Sequence, residues 1–387
     1  MRKHATFVYS NALLGYHFHE DHPFNQKRVL LSKELLENKN TLEESDIVFP
    51  RSATDEELAL FHSWEYIEAV KKASSGSLEE HEGIAYGLGT EDTPIFNQMH
   101  EAASNLVGGT LTAVDQVLEG KSKQALHLGG GLHHGFQQRA AGFCIYNDGA
   151  VAIKYIREKY DLKVLYVDTD AHHGDGVQWA FYDDPNVCTF SIHETGRYLF
   201  PGTGDINERG IREGYGYSFN LPIDAFTQDE SFIEVYETAL KEITEYFQPD
   251  IILTQNGADG HCFDPLTHLC GTMKIYEIIP MMAQEMANQY TNGKWIALGG
   301  GGYDMWRVAP RAWAQVWNVM KTGKPAEGTL PYEWVEKWES QAPVELPKYW
   351  HDVIDAIPTI PRKKEITEKN KQTLNALLKY TRQNVKQ

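Results

Sequence analysis

The segment VDTDAHHGDG, at residues 167–176, places three carboxylates and two histidines directly after an apolar run. If a strand conformation persists through it, Asp168, Asp170 and His172 share one face by the two-residue periodicity of a strand. Carboxylate oxygens and imidazole nitrogens are ordinary Zn²⁺ ligands, and a further carboxylate, Asp259, follows another apolar run. Two carboxylates and one imidazole would neutralise the ion and leave a position open for catalysis. The alternative is a buried hydrogen-bonded network without a metal.

A second cluster, GGGLHHGF at residues 129–136, supplies two adjacent imidazoles, His133 and His134. A histidine near a metal-bound water can remove its proton and later protonate an amine leaving group. Such a histidine needs a partner on its other ring nitrogen, and Asp168 and Asp175 are available for that role. The alternative is a pair of core histidines with backbone partners.

The segment ALGGGGYDM, at residues 297–305, is a glycine-rich loop that leads to a phenol. Tyr303 could donate a hydrogen bond to an oxyanion, or it could pack as a wall beside a tight turn. The glycines fit neither a phosphate-binding loop nor a dinucleotide-binding fingerprint. No serine or cysteine lies in a GxSxG-like elbow, so covalent acyl transfer lacks its usual sequence context.

Short apolar runs alternate with amphipathic stretches, such as the helical pattern at 232–247. This alternation predicts an α/β domain with a mostly parallel sheet and helices on both faces. The predicted strands span residues 5–10, 124–130, 163–170, 187–193, 217–222, 250–255 and 294–300. Ligands of such sheets bind beyond the carboxyl ends of the strands, and four of these runs lead into the polar residues described above.

Composition restricts the classes of partner. The formal net charge of −18 argues against a binder of nucleic acid or of anionic membranes, because such partners would be repelled. No stretch approaches the roughly 20 apolar residues of a membrane span, and residues 1–21 lack the apolar core of a signal peptide. The cysteines form no CxxC pair and predict buried or free thiols in a reducing compartment; they are Cys144, Cys188, Cys262 and Cys270. We therefore expect a cytoplasmic protein.

The chain is expected to form one catalytic domain over residues 1–325, followed by an extension at 326–387 that packs on the domain or trails from it. The segment KTGKPAEGTLP interrupts the pattern at this boundary. Residues 362–387 carry eight Lys and Arg residues against two Glu, and we expect this tail to be mainly solvated rather than docked.

Two further groups are expected to be structural. The N-terminal histidines His17, His19 and His22 show no spacing to carboxylates that would define a site. The tryptophans are expected to pack helices rather than to form a cofactor site; they are Trp306, Trp313, Trp317, Trp334, Trp338 and Trp350.

The segments HLGGGLHHGF, GFCIYND, VDTDAHHGDGVQWAF, FPGTGD, QNGAD and LGGGGY resemble, in the same order, the signature blocks of zinc-dependent histone deacetylases. The resemblance covers about residues 5–320. The segments YHFHEDHPFNQKRV and YGLGTEDTPIF are most similar to the bacterial acetoin-utilisation (AcuC-type) branch. The resemblance implies an arginase/deacetylase-type fold with an eight-stranded parallel sheet, one Zn²⁺ per chain, bound K⁺, and hydrolysis of acetyl-lysine amides.

The resemblance also implies roles for individual residues. The implied zinc ligands are Asp170, His172 and Asp259. The implied catalytic groups are the pairs His133–Asp168 and His134–Asp175, with Tyr303 polarising the acetyl carbonyl. The implied substrate contacts are the channel walls Gly142, Phe143, Phe200 and Leu266, the rim carboxylate Asp92, and Arg28 in a cavity behind the metal. The implied potassium ligands are Asp168, Asp170, His172, Ser191 and Ile192 at one site and Phe181, Asp184, Val187 and Tyr217 at another. The family generally favours the second histidine of the pair as the base, and the sequence leaves that division open.

Two segments depart from the family pattern, DGHCFDPL at 259–266 and HETGRYLF at 193–200, and both bear on substrate preference. The branch resemblance suggests acetylated metabolic enzymes as substrates, with acetyl-CoA synthetase as the leading candidate. The alternatives are an acetylpolyamine or other small-molecule amidohydrolase, an arginase-like ureohydrolase with two metals, and a non-catalytic acetyl-lysine reader. The His-His pair with Tyr303 speaks against the ureohydrolase, and the complete ligand set speaks against the reader.

Overall fold

Eight strands form one parallel sheet in the computed structural model, which describes residues 3–384. The strands are β1 (Lys3–Val8), β2 (Ile47–Val48), β3 (Ser122–His127), β4 (Val164–Asp168), β5 (Val187–Glu194), β6 (Ser218–Ile223), β7 (Ile251–Gln255) and β8 (Trp295–Leu298). Their order across the sheet is β2-β1-β3-β8-β7-β4-β5-β6, and every neighbouring pair is parallel. The predicted fold class is confirmed.

Twelve α-helices occur within residues 3–384. They are α1 (Lys27–Asn38), α2 (Asp55–Leu58), α3 (Trp64–Ser74), α4 (Glu80–Ala85), α5 (Met99–Leu118), α6 (Asp148–Tyr160), α7 (Asp175–Ala180), α8 (Asp229–Phe247), α9 (Met273–Tyr290), α10 (Ala309–Thr322), α11 (Tyr332–Glu339) and α12 (Lys363–Asn384). Every residue of β4, β5, β7 and β8 is buried, so both faces of these strands are covered. This burial explains why β4 and β8 are nearly continuous apolar runs rather than alternating ones. In β5, apolar and polar residues alternate, and the polar ones are buried as well.

The four strands that lead into the predicted site residues are neighbours in the sheet. They are β3, β8, β7 and β4, and they lie in this order at its centre. Because the strands are parallel, their carboxyl ends meet at the same edge. The loops that follow them therefore converge, although they come from parts of the chain that are far apart.

The basic tail differs from our expectation of a mainly solvated segment. Helix α12 packs against α8 and β6, and it buries Leu374, Leu377 and Leu378. Its Asn370 is also buried and donates hydrogen bonds to the hydroxyls of Thr227 and Ser231. Ion pairs join the helix to the acidic body, between Lys363 and Glu230, Lys369 and Asp224, Lys371 and Glu234, and Arg382 and Glu242. An apolar stripe and charge complementarity together dock this helix. The last basic residue of the tail, Lys386, lies outside the described residues.

Other structural expectations are confirmed. The six tryptophans named above are buried, and all four cysteines are free thiols. His22 is buried beside the ring of Phe143, with the two ring centroids 4.8 Å apart, and its Nδ1 accepts a hydrogen bond from the backbone of Phe24. Within residues 3–384, no helix combines the length and the apolar character that a membrane crossing requires.

Candidate active site

The site begins with three side chains that converge on one point. Asp170 and His172 follow β4, and Asp259 follows β7, the neighbouring strand. The Nδ1 atom of His172 lies 2.9 Å from Oδ2 of Asp259 and 3.2 Å from Oδ1 of Asp170. All three residues are buried, and one ligand atom from each lies within 4.8 Å of the others. The sequence prediction that these three residues meet is thus matched by their positions.

The chemistry of this donor set fits a divalent cation. No lysine or arginine in residues 3–384 forms an ion pair with either carboxylate, so two buried negative charges face each other across His172. Burial and the nearby charge of Asp170 raise the pKa of Asp259 to about 6. Burial alone would lower the pKa of His172, but hydrogen bonds to Asp170 and Asp259 outweigh it and raise that pKa to about 10. Each shift reflects a demand for positive charge that a bound Zn²⁺ would meet.

The loop that follows β8 closes over these ligands. The backbone N–H of Gly301 donates to Oδ2 of Asp170 at 2.7 Å, and the Gln255 amide donates to the same oxygen at 2.7 Å. A Cβ atom at Gly301 would lie 2.2 Å from Oδ2 of Asp259. The backbone can therefore approach the carboxylates only because residue 301 is glycine.

Two histidine–aspartate pairs lie beside the ligands. The Nδ1 atom of His133 is 2.7 Å from Oδ2 of Asp168, and the Nδ1 atom of His134 is 2.7 Å from Oδ1 of Asp175. A carboxylate only accepts hydrogen bonds, so Nδ1–H is the donor in each pair and Nε2 of a neutral ring carries the free lone pair. Both predicted pairings are present in the structure.

The two imidazoles differ in electrostatic environment. Burial opposes a charge on His133, yet Asp168 and Asp170 outweigh it and raise the pKa of His133 to about 9. Burial and the charge on His133 lower the pKa of His134 to about 4, although Asp175 acts in the opposite direction. His134 is therefore the ring that is neutral near pH 7 and able to accept a proton.

A narrow cavity of about 230 Å³ leads from the surface to this chemistry. Its lining residues are Asp92, His134, Gly142, Phe143, His172, Leu199, Phe200, Leu266 and Tyr303. The Phe200 ring packs edge-on against His134 at 5.0 Å between centroids, and the Phe143 ring packs edge-on against Tyr303 at 5.7 Å. Gly142 has φ +50°, and a Cβ there would lie 2.5 Å from the His134 ring. The predicted wall and rim residues thus share one cavity with the polar groups.

Tyr303 lines this cavity, and Arg28 lies beside the Tyr303 ring. Burial and the charge of Asp259 raise the pKa of Tyr303 well above its ordinary value, so its phenol keeps its proton and can donate it in a hydrogen bond. The Arg28 guanidinium is buried, donates to the carbonyl of Gly302 at 2.7 Å, and lies 5.9 Å from the centroid of the Tyr303 ring. Arg28 does not line the narrow cavity itself.

The residues implied as potassium ligands also group together. Asp168 pairs with Ser191 in the sheet, and Ile192 follows Ser191 on β5. The second group surrounds the turn before β5, where the backbone N–H of Asp184 donates to Phe181 and that of Val187 donates to Asp184. The Tyr217 carbonyl, just before β6, accepts a hydrogen bond from the backbone N–H of Thr189 on β5.

Sequence reasoning missed two residues that hold the site. Asp148 accepts the backbone N–H groups of Gly131 and Leu132 at 3.0 and 2.8 Å, and so fixes the loop that carries His133 and His134. Asp264 accepts the N–H of Leu266 at 3.0 Å and that of Tyr303 at 2.7 Å. Asp148 lies inside GFCIYND, one of the segments that carry the resemblance, and that position was its only signal in the sequence. Asp264 lies in the segment 259–266, which departs from the family pattern, so no signal in the sequence pointed to its role.

Comparison with known proteins decides the family. A model of the histone deacetylase domain matches residues 22–320. The chain belongs to the histone deacetylase family. As a family member it is a hydrolase of the deacetylase type, which confirms the predicted enzyme class.

Individual relatives agree with this assignment. The chain is 61% identical over 374 residues to the acetoin utilization protein AcuC of Bacillus subtilis, covering 97% of this chain and 96% of that protein. It is 48% identical over 376 residues to the AcuC protein of a Staphylococcus aureus strain, covering 96% of each. The crystal structure of a histone deacetylase homologue from Aquifex aeolicus superimposes with a TM-score of 0.83 at 29% identity, covering 96% of this chain and 100% of that one. A complex of such a homologue with SAHA gives the same score. The chain is therefore an AcuC-type member of the family.

Proposed function

We propose that the protein is a zinc-dependent deacetylase that hydrolyses Nε-acetyl-lysine on proteins and releases acetate and free lysine. One observation carries this proposal: a narrow cavity walled by Phe143 and Phe200 ends at His134, His172 and Tyr303. Its small volume and apolar walls suit the methylenes of a lysine side chain, and its polar end suits an amide. The exposed Asp92 carboxylate at the mouth can accept N–H groups of the substrate backbone.

We assign the metal site to Asp170, His172 and Asp259, with one Zn²⁺ per chain. When bound there, Zn²⁺ supplies Lewis acidity and lowers the pKa of a bound water toward about 7. The K⁺ ions suggested by the family resemblance belong with Asp168, Asp170, His172, Ser191 and Ile192, and with Phe181, Asp184, Val187 and Tyr217.

The chain's own groups then have defined tasks. His134 accepts a proton at Nε2 from the water that adds to the acetyl carbon, while Asp175 holds its Nδ1–H. Tyr303 donates its O–H to the carbonyl oxygen as that oxygen gains negative charge. The C–N bond breaks as the lysine nitrogen takes up a proton from a histidine of the pair, and acetate leaves. His133, held by Asp168, contributes positive charge beside the reacting centre.

The activity is tested with an acetyl-lysine peptide and with N-acetylputrescine, by measuring released acetate. We expect the peptide to be hydrolysed faster, because its backbone can reach Asp92 and its side chain fills the cavity. His134→Ala and Tyr303→Phe should each lower peptide turnover about a hundredfold or more without loss of fold. Faster turnover of N-acetylputrescine would instead favour a small-molecule amidohydrolase.

The name of the Bacillus subtilis and Staphylococcus aureus relatives points to acetoin metabolism, and we propose metabolic enzymes such as acetyl-CoA synthetase as substrates. Acetyl-lysine proteomics of cells that carry the unaltered protein or the Tyr303→Phe variant tests this. Acetylation of acetyl-CoA synthetase should rise in the variant cells. Unchanged acetylation of that enzyme would remove it as a substrate.

A further inference from the structure

A second, larger cavity of about 590 Å³ lies next to the narrow one, and we call it the tail groove. Its walls include Tyr198, Phe226, His268, Ile360, Ile366 and Lys369. Ile360, Ile366 and Lys369 belong to the C-terminal extension. The docked extension therefore supplies part of the wall of this cavity.

The two cavities share two segments of chain. Tyr198 lines the tail groove, and the next residues, Leu199 and Phe200, line the narrow cavity. His268 lines the tail groove, and Leu266, two residues earlier, lines the narrow cavity. Extended chain advances about 3.4 Å per residue, so these wall residues are at most about 7 Å apart along the backbone. The tail groove thus begins within one or two wall residues of the narrow cavity, which is within reach of a side chain that neighbours an acetyl-lysine bound there.

The groove is held in shape by internal contacts. The buried Glu194 carboxylate accepts from both the backbone N–H and Nδ1 of His268, each at 2.8 Å. The His268 carbonyl accepts the N–H of Phe226 at 2.8 Å. Asn370 on α12 accepts the N–H of Asp224 at 2.9 Å. A preformed groove loses little entropy when it binds a ligand.

The chemistry of the lining favours an uncharged, apolar occupant. The side chains of Tyr198 and Phe226 are 65% and 48% exposed. Two large rings in one groove therefore leave apolar surface in contact with solvent, which is typical of a binding site. Phe226 has φ +64°, a conformation that a bulky residue rarely adopts and that is retained where the surroundings impose it. The cations are already neutralised, because Lys369 pairs with Asp224 at 3.0 Å and Arg362 with Glu365.

From these observations we infer that the tail groove is a specificity subsite for an apolar or aromatic side chain of the substrate polypeptide, one or two positions from the acetyl-lysine. This inference rests on the proposed function. It assigns to the C-terminal extension a role in choosing among acetylated lysines, separate from the chemistry in the narrow cavity.

The test compares acetyl-lysine peptides that carry Leu, Phe, Gly or Ser at each of the two positions on either side, together with an acetyl-lysine capped at both backbone ends. We expect the kcat/KM of the unaltered protein to favour an apolar residue at one flanking position by about tenfold. Phe226→Asp and Ile360→Asp should abolish this preference, measured as the ratio of apolar-flanked to glycine-flanked peptide. Asp tolerates the positive φ of residue 226.

Phe49→Asp is the matched control, because Phe49 is 78% exposed and follows β2, at the opposite edge of the sheet from β6. It should retain the preference. Absence of any flanking preference in the unaltered protein, or a preference that survives both groove substitutions, would overturn the subsite. Failure to hydrolyse the capped acetyl-lysine as well as the peptides would overturn the proposed function, which is a different result.

Discussion

The Nδ1 atom of His134 lies 2.7 Å from Oδ1 of Asp175, and the same ring lines the narrow cavity together with Tyr303. This contact fixes the tautomer, because the carboxylate requires a proton on Nδ1. Nε2 is thereby left with a lone pair. The relationship explains how a ring whose pKa is lowered to about 4 by burial and by His133 keeps a defined orientation in its neutral form.

Asp175→Asn tests this orientation. The amide can donate to Nδ1, which would place the proton on Nε2 and remove the base. We expect kcat to fall by a factor between about 10² and 10⁴, as found where an amide imposes the wrong tautomer on a catalytic histidine. Measurement of kcat and of the melting temperature separates this effect from unfolding. A variant with unaltered kcat would contradict the role of Asp175.

Substitution of Asp259, a proposed zinc ligand, should abolish metal binding. We expect elemental analysis to find about one Zn²⁺ per unaltered chain and little in Asp259→Ala, because three protein ligands define the site. Chelation of the unaltered protein should abolish deacetylation, and added Zn²⁺ should restore it. Glu158→Gln is the control, since Glu158 is an exposed carboxylate on α6 and its loss should leave the zinc content unchanged. Full activity of metal-free protein would contradict the zinc assignment.

Asp264 is expected to act through Tyr303. Burial and the charge of Asp259 raise the pKa of Asp264 to about 8, and its carboxyl group accepts the backbone N–H of Tyr303. Loss of this support in Asp264→Ala should displace the phenol and lower kcat roughly 10- to 100-fold, with a smaller change in KM. Asp264→Asn should recover part of the loss, because its amide oxygen can still accept one N–H.

A double variant distinguishes positioning from general damage. If Asp264 acts through the phenol, Asp264→Ala should cost less in a Tyr303→Phe background than in the unaltered protein. Equal losses in both backgrounds would show that Asp264 has another role. The readout is the ratio of kcat values across the four proteins.

The fold and the centre of the site were predictable because both have local signatures. Apolar runs marked seven of the eight strands, and parallel strands must bring the residues that follow them to one edge. That rule placed Asp259 at the same edge of the sheet as Asp170. Strand β2 was missed because two residues carry no periodicity, and predicted strands such as 124–130 continued past their true ends into the polar loops.

Contacts between loops had no comparable signature. The Asp264–Tyr303 bond joins residues 39 positions apart in the sequence, and neither residue belongs to a strand. The expectation of a solvated tail was wrong for a different reason. The buried face of α12 has helical spacing and consists of Ile366, Asn370, Leu374 and Leu377. The many lysines around these residues nevertheless led us to expect a solvated helix. The lysines of α12 form ion pairs with acidic residues of α8 and of the loop after β6, and this pairing became visible only in the folded structure.

A buried ion-pair network ties the segment after α11 to the domain. The Asp352 carboxylate accepts from Arg311 at 2.7 Å and from the backbone N–H of Met273 at 2.7 Å, and it lies 3.0 Å from Nε2 of His261. Burial would raise the pKa of Asp352, but His261 and Arg311 outweigh it and hold that pKa below its ordinary range. A carboxyl group with a depressed folded-state pKa contributes stability above its unfolded pKa of about 3.9.

Asp352→Asn should therefore lower the free energy of unfolding by about 3 kcal/mol at pH 7, because it leaves the buried Arg311 without its counter-charge. The difference from the unaltered protein should shrink as the pH falls below about 4, since Asp352 is then protonated on unfolding and progressively in the folded state as well. Denaturant titrations across this pH range measure both effects. Glu345→Gln, which removes an exposed partner of Lys348, should leave stability unchanged and controls for loss of charge alone. A difference that stays constant with pH would show that Asp352 acts through packing rather than through its charge.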